Sequence, residues 1–245
     1  MSDVVLKGEL HTSMGDLEEE KELVKEGFDT LVLEGQASES EYGWSDGWFQ
    51  ISISALFWII GRVYVSKDIL RDLAEVQETG LVFTRDADSD LLENTPFFMQ
   101  VFSALVFYTL VPGSVAAGII FPKLWGAVIL FCGFALPVLG IRIYNTQRSK
   151  GDKNRDKIIA DKIADAAEEG DSVLAIVGES HSEGVKKHLP DSIDPDVRPP
   201  AYSRLSKPHV KEVAFPFFEM ILVLYSLFLV VSSVMLRLAQ FAPQL

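Results

Sequence analysis

Two stretches of this chain stay uncharged for long enough to cross a bilayer, and any fold must accommodate them. Phe97 to Phe121 carries no charge over 25 positions and Leu124 to Ile141 none over 18, against the ~20 apolar residues that a membrane helix needs. Pro122 and Lys123 make the turn between them, so the pair is expected to form a transmembrane hairpin. Gly126, Gly133 and Gly140 recur every seven residues in the second run, which places them near one face where helices can approach closely. A third run, Met220 to Leu236, has 17 uncharged residues and lengthens if Val213 to Phe218 joins it past Glu219, which is expected near the interface. Phe49 to Val65 is apolar but broken by Ser52, Ser54 and Arg62, and its uncharged part, Gln50 to Gly61, is too short to span. It reads as an interfacial or groove-lining helix.

What lies outside these runs is acidic. The net charge is −13 although 48% of the residues are hydrophobic, which argues against nucleic acid as a partner, since phosphate binding needs basic surface. The sole cysteine, Cys132, sits in an apolar run, so neither an intrachain disulfide nor a cysteine metal site is expected. Met1-Ser2-Asp3 leads straight into a strand without the basic-then-apolar pattern of a signal peptide. Arg142, Arg148, Lys150, Lys153, Arg155 and Lys157 follow the second run, and Arg198, Arg204, Lys207 and Lys211 precede the third. Only Lys123 and Arg237 lie at the opposite ends. The positive-inside rule then puts the soluble part in the cytoplasm and the carboxyl terminus outside, in an integral protein of the cell membrane surrounded by lipid.

The soluble part says one phrase twice. Val4-Val5-Leu6-Lys7 runs into Gly8-Glu9-Leu10-His11, and Leu174-Ala175-Ile176-Val177 runs into Gly178-Glu179-Ser180-His181. In an extended stretch residues i and i+2 share a face, so Glu9 can lie beside His11 and Glu179 beside His181. Brought together, the copies offer two imidazoles and two carboxylates, which suits Mn, Co, Fe or Zn better than Ca or Mg. For the copies to meet, the chain must cross the membrane an even number of times between them, as one hairpin does.

The first copy opens a β-α-β unit. Ser13 or Thr12 caps a helix through the acidic run Asp16 to Glu26, Gly27 stops it, and Thr30 to Leu33 form a strand ending at Glu34-Gly35. A right-handed crossover puts the carboxyl ends of both strands on one edge, with His11 and Glu34 there. A helix is expected around Lys67 to Glu78, then a strand Leu81 to Thr84 ending at Arg85. Past the hairpin, Asn154-Arg155-Asp156 starts a helix with Ile159, Ile163 and Ala167 on one face, and Ser172 to Val177 is the strand before the second copy. Arg155 is either a surface charge or a fixed cation facing the site, suited to a substrate carboxylate or an oxyanion. The Pro-rich stretch 188–208 reads as a linker, with His188 and His209 exposed or interfacial.

Gly8-x-x-His11, strand-terminal Glu34, Arg85 in Thr-Arg-Asp, Asn154-Arg155-Asp156 before an apolar helix, and Gly178-x-x-His181-x-x-Gly184 together resemble the TraB/PrgY/GumN family, which shares a superfamily with Tiki proteases and erythromycin esterases. The resemblance covers residues 3–36, 81–88 and 152–185. It implies an α/β fold of two pseudo-symmetric halves, and in the Tiki branch a Mn- or Co-dependent metalloprotease. Carried over, His11 and His181 are metal ligands, Glu34 a ligand or general base, and Arg85 and Arg155 site residues, with Glu179 completing the candidate donors. The leading expectation is a membrane-anchored, metal-dependent hydrolase of peptides in which Glu34 or Glu9 moves the proton and Arg155 or Arg85 steadies the oxyanion. The alternative is a membrane protein that sequesters a peptide signal without cleaving it. Expected boundaries are 1–95 for the first half, with 49–65 interfacial, 96–143 for the hairpin, 144–212 for the second half and 213–241 for the last transmembrane helix. The substrate, peptide or small molecule, and the question of a homo-oligomer stay open.

Overall fold

The computed structural model describes residues 3–36, 47–49, 51–52, 64–85, 95–149 and 154–241. In chain order these form β1 (Asp3–Glu9), α1 (Met14–Glu26), β2 (Thr30–Gln36), α2 (Asp68–Val76), β3 (Gly80–Arg85), α3 (Phe97–Ile120), α4 (Lys123–Ser149), α5 (Asn154–Glu169), β4 (Ser172–Gly178), α6 (Glu179–His188), β5 (Asp196–Arg198) and α7 (Lys207–Phe241). They divide between two compact units.

The first unit, residues 1–40, 63–90 and 150–215, is built on a five-stranded sheet in the order β3-β2-β4-β1-β5. Every pairing in it is parallel. Parallel strands buried on both faces read as continuous apolar runs, and here alternate residues divide between two cores. Val4 and Leu6, Val32, and Val173, Ala175 and Val177 face Ile159, Ile163 and Ala167 of α5 and Val185 of α6. Val5, Leu31 and Leu33, and Leu174 and Ile176 face Leu17, Leu23 and Val24 of α1 and Leu70 and Ala74 of α2. The Ile159, Ile163, Ala167 stripe expected from the sequence is thus the packing face of α5.

This layering sets the location of any site. β1 and β4 are neighbours, with Gly8 opposite Val177 and Glu9 opposite Gly178. The helix after β1 packs on one face of the sheet and the helix after β4 on the other. A crevice opens at the carboxyl ends where adjacent strands send their connections to opposite faces, and in open α/β sheets ligands bind there.

Three details differ from expectation. Residues 188–208 are not wholly a linker, because Asp196–Arg198 pairs with Val5–Lys7 as the fifth strand. His209 is buried rather than exposed, while His188 is exposed as expected. The second copy of the phrase is not extended beyond Gly178, since Glu179 begins α6. The expectation of an interfacial helix over 49–65 falls largely outside the described residues.

The second unit, residues 41–62, 91–149 and 216–245, contains three helices long and apolar enough to cross a membrane when α7 is counted with its full length. Many of their apolar side chains, among them Phe97, Phe98, Leu105, Leu124, Leu222 and Val230, are turned outward. The glycine stripe of α4 faces α3. A Cβ on Gly126 would lie 2.7 Å from the Ser114 carbonyl oxygen, 2.8 Å from Gly118 Cα and 2.5 Å from the Phe228 ring. On Gly133 it would lie 3.0 Å from Val111, and on Gly140 3.6 Å from Phe102. The partners run backwards along α3 as the glycines run forwards along α4, as in an antiparallel hairpin. Two of the three obstacles at Gly126 are backbone and cannot rotate away. Gly126→Val is therefore expected to lower stability by about 1–3 kcal/mol, read as a fall in Tm in detergent, with Gly140→Ala close to wild type. Equal shifts for the two would show that the stripe does not set the helix approach.

Candidate functional site

The carboxyl ends of β1, β2 and β4 bring His11, Glu34 and His181 to one edge. Each arrives there for a local reason. Beyond Glu9 the chain turns into α1, whose N-cap Ser13 accepts a hydrogen bond from the Asp16 amide at 3.2 Å, as capping serines do. The buried Asp16 carboxylate in turn accepts from the Leu10 amide at 2.8 Å, from the Ala201 amide at 2.6 Å and from Lys7 at 3.0 Å. Lys7, itself fully buried, also bonds Glu19 at 2.6 Å and the Pro199 carbonyl at 2.8 Å. The residue before His11 is thus tied to a carboxylate that the Ala201 amide and Lys7 hold in place. The His11 carbonyl accepts from the Val65 amide at 3.0 Å, and this contact delivers Lys67 to Glu9.

The His11 imidazole is fixed through Nδ1, which donates to Glu9 Oε1 at 2.7 Å. Burial would push the Glu9 carboxyl up, but the hydrogen bond from His11 and the Lys67 ammonium overcome it and hold Glu9 below the ordinary carboxylate range. Glu9 and His11 share a face as expected from their spacing. Their relation is that of an anchoring carboxylate to the imidazole it orients.

His181 is fixed in the same way by a different residue. Its Nδ1 donates to Asp156 Oδ1 at 2.7 Å, from the first turn of α5. Gly184 makes this possible. One turn along α6 from His181, a Cβ at residue 184 would sit 2.0 Å from Asp156 Oδ2. Glu179 is elsewhere: its Oε2 accepts from Arg204 Nε at 2.8 Å. Successive positions on a helix turn by about 100°, so residues two apart diverge, and the shared face expected for Glu179 and His181 is lost once α6 begins.

Glu34 lies between the imidazoles. The register of β2 slips after Leu33, where Gly35 adopts φ +154°, a value L side chains rarely take. A bulge of this kind re-aims the adjoining side chain. Glu34 Oε2 accepts from the Gly178 amide at 2.5 Å, at the start of α6, where a negative charge is favoured. Oε1 is ion-paired with Arg155 and stands 3.9 Å from His181 Nε2. On the other side, a Cβ added to Gly178 would be 3.1 Å from Glu34 Oε2 and 3.1 Å from His11 Nε2, so a larger residue there would press on both. Burial raises the Glu34 carboxyl, but the Gly178 amide, Arg155 and the two imidazoles together bring it below its ordinary value. Glu34 is 4% exposed, with His181 at 24% and His11 at 43%, so the site opens from a buried acid toward the His11 side.

Of the residues picked out from the sequence, His11, Glu34, His181, Arg155 and Glu9 gather here. Glu179 turns to Arg204. Arg85 ends β3 on the same edge, and its side chain lies outside the described residues. Asp156 and Lys67 went unrecognised. Asp156 stood in the quoted Asn-Arg-Asp run and had a detectable signal. Lys67 is 58 positions from Glu9 and had none. The donor set, two imidazole nitrogens and one carboxylate, fits a borderline divalent metal, and carboxylates on the far nitrogens are what metal-binding histidines usually have. Among the described residues no three His, Cys, Asp or Glu side chains close on a single point; Arg155 draws Glu34 Oε1 to itself. The chemistry of the donors fits better than their spacing. No protein-family model, curated protein or solved structure matches the chain.

Proposed function

We propose that this chain is a membrane-anchored, metal-dependent hydrolase of the TraB/PrgY/GumN type, acting on peptides, with His11, His181 and Glu34 as the residues that hold a divalent ion. One observation carries the reading: both imidazoles are clamped through Nδ1 by a carboxylate, Glu9 or Asp156, which leaves Nε2 of each ring for the ion, that of His181 standing 3.9 Å from Glu34 Oε1. When bound, an ion such as Mn or Co would supply Lewis-acid chemistry at neutral pH. Glu34, held ionised, is the proton acceptor. Arg155, 39% exposed, is a cation able to leave Glu34 for a substrate carboxylate or an oxyanion. Glu9 and Asp156 keep the rings oriented.

Two features of the sequence complete the proposal. The Gly-Glu-x-His copies leave adjacent strands with their helices on opposite faces, as a pseudo-two-fold axis between β1 and β4 would require. We read the basic residues flanking the apolar runs, by the positive-inside rule, as putting the site on the cytoplasmic side.

The test is elemental analysis of detergent-purified protein, stripped and then reloaded separately with Mn, Co and Zn, followed by a peptide-cleavage assay of each loaded form. About one ion per chain with turnover supports the proposal. One ion without turnover leaves a peptide-binding site in place of the hydrolase, and a chain that stays metal-free after all three loadings overturns the metal reading.

A further inference from the structure

The chain that leads into α7 lies along the turn carrying His11, and most of its contacts there are not used by the site as described. The Tyr202 ring rests on Gly15, where a Cβ would be 2.3 Å from the ring edge. Thr12 Oγ1 stands 3.4 Å from Nε2 of the buried His209. The Met14 amide donates to Glu212 Oε2 at 3.0 Å. Met14 is the first residue of α1, and the amides of a first helical turn have no partner within their own helix. The Ser13 hydroxyl serves the Asp16 amide, so the Met14 amide is met by an acceptor 198 positions away. A carboxylate suits that place, because negative charge is favoured at a helix N-terminus. The turn from Leu10 to Met14 therefore hangs between two fixed points. On the inside the Ser13 amide donates to the Leu10 carbonyl at 2.8 Å and the Leu10 amide to Asp16. On the outside stand Glu212 and Tyr202.

We propose that Glu212 and Tyr202 are positioning residues of the site. Glu212 holds the first amide of α1 and Tyr202 covers Gly15, and together they fix the turn so that His11 Nε2 stays beside Gly178. Their task differs from that of Glu9. Glu9 sets which way the imidazole faces, whereas the chain entering α7 sets where the backbone that carries it stands. His11, 43% exposed, is the least enclosed of the three candidate ligands and has the most to lose when its turn frays. The turn is thereby tied to the opening residues of a helix that continues to Phe241 and is apolar enough to cross a membrane. The consequence for metal binding rests on the function proposed above; the placement of His11 does not.

Glu212→Gln keeps an acceptor oxygen for the Met14 amide; Glu212→Ala removes it. The measurement is the ring nitrogen chemical shifts of His11 and His181 in histidine-labelled, metal-free protein in detergent, assigned by comparison with His11→Ala and His181→Ala, together with Co2+ affinity from the visible spectrum. In Glu212→Ala the His11 signals are expected to move while those of His181, held by Asp156, stay. Co2+ affinity is expected to fall about fivefold, the effect of one lost capping bond when binding must first reorder the turn. Glu212→Gln is expected to match wild type in both. Gly15→Ala puts a methyl group 2.3 Å from the Tyr202 ring, displaces the ring, and is expected to move His11 alone; this test stands if Glu212→Ala fails to fold. Unmoved His11 signals in Glu212→Ala overturn the role of Glu212, and in Gly15→Ala that of Tyr202. Equal movement of both histidines overturns the inference, and so does a Glu212→Gln variant that behaves as the alanine one. Should wild type bind no Co2+, the function proposed above fails, while the comparison of the two histidines still decides whether Glu212 and Tyr202 position His11.

Discussion

His181→Ala is expected to abolish metal binding, and Gly184→Ala, which leaves the imidazole in place, to weaken it by ~10–100-fold. The second change is the more informative. A methyl group at residue 184 would fall 2.0 Å from Asp156 Oδ2 and 2.6 Å from Asp156 Cγ, an overlap no packed structure retains. The group in the way is the end of a flexible, part-exposed side chain, so Asp156 turns aside and the helix stays. The hydrogen bond to His181 Nδ1 is then lost, and with it the ring's fixed tautomer. Alanine is also the better helix former, by about 1 kcal/mol, so the fold gains locally what the site loses. Co2+ titration and thermal unfolding of the same samples separate the two effects: weakened binding with an unchanged or raised Tm is expected. Full affinity in Gly184→Ala would show that Asp156 does not hold the histidine.

The sheet was legible because burial on both faces writes continuous apolar runs into the sequence. The two Gly-Glu-x-His phrases marked the ends of its central strands. Their likeness was also misleading, because equal spacing implied equal geometry. Past β1 the chain makes a pinned turn before its helix, and the acid two residues before His11 becomes its anchor. Past β4 the helix starts at once, Glu179 swings off to Arg204, and the anchor comes from Asp156 on a different element. Which acid serves which histidine is decided by where helices begin, and a boundary shifted by two residues reverses the answer. Lys67 and Glu20 were hidden for another reason. Both read as ordinary charges on amphipathic helices, and only the packing of α1 and the chain before α2 against the end of β1 makes them partners of Glu9. β5 is three residues long in a stretch rich in proline, too short for alternation to show.

Stability measured against pH is expected to fall between pH 5 and pH 8 in wild type and to stay nearly level in Glu20→Gln. The buried Glu20 carboxyl is raised from an ordinary 4.5 to about 9, through burial first and the adjoining Glu9 charge second. Between those values the folded chain keeps a proton that the unfolded chain has released. Unfolding therefore gives up a proton, and stability declines as pH rises, by about 1.4 kcal/mol per unit. Over three units this approaches ~4 kcal/mol, or on the order of 10 °C in Tm for a chain of this size. The opposite slope belongs to Glu9 and Glu34, whose carboxyls are lowered in the fold. Their contribution is present above the ordinary carboxylate range and is lost as pH falls below it, so the acid limb survives in Glu20→Gln. Glutamine has no proton to release, and the variant should pass wild type in stability as the solution becomes alkaline. The comparison is made in metal-free protein with a chelator present, so that ligand binding does not add its own pH dependence. Parallel profiles for the two proteins across pH 5–8 would mean that Glu20 is already ionised in the fold.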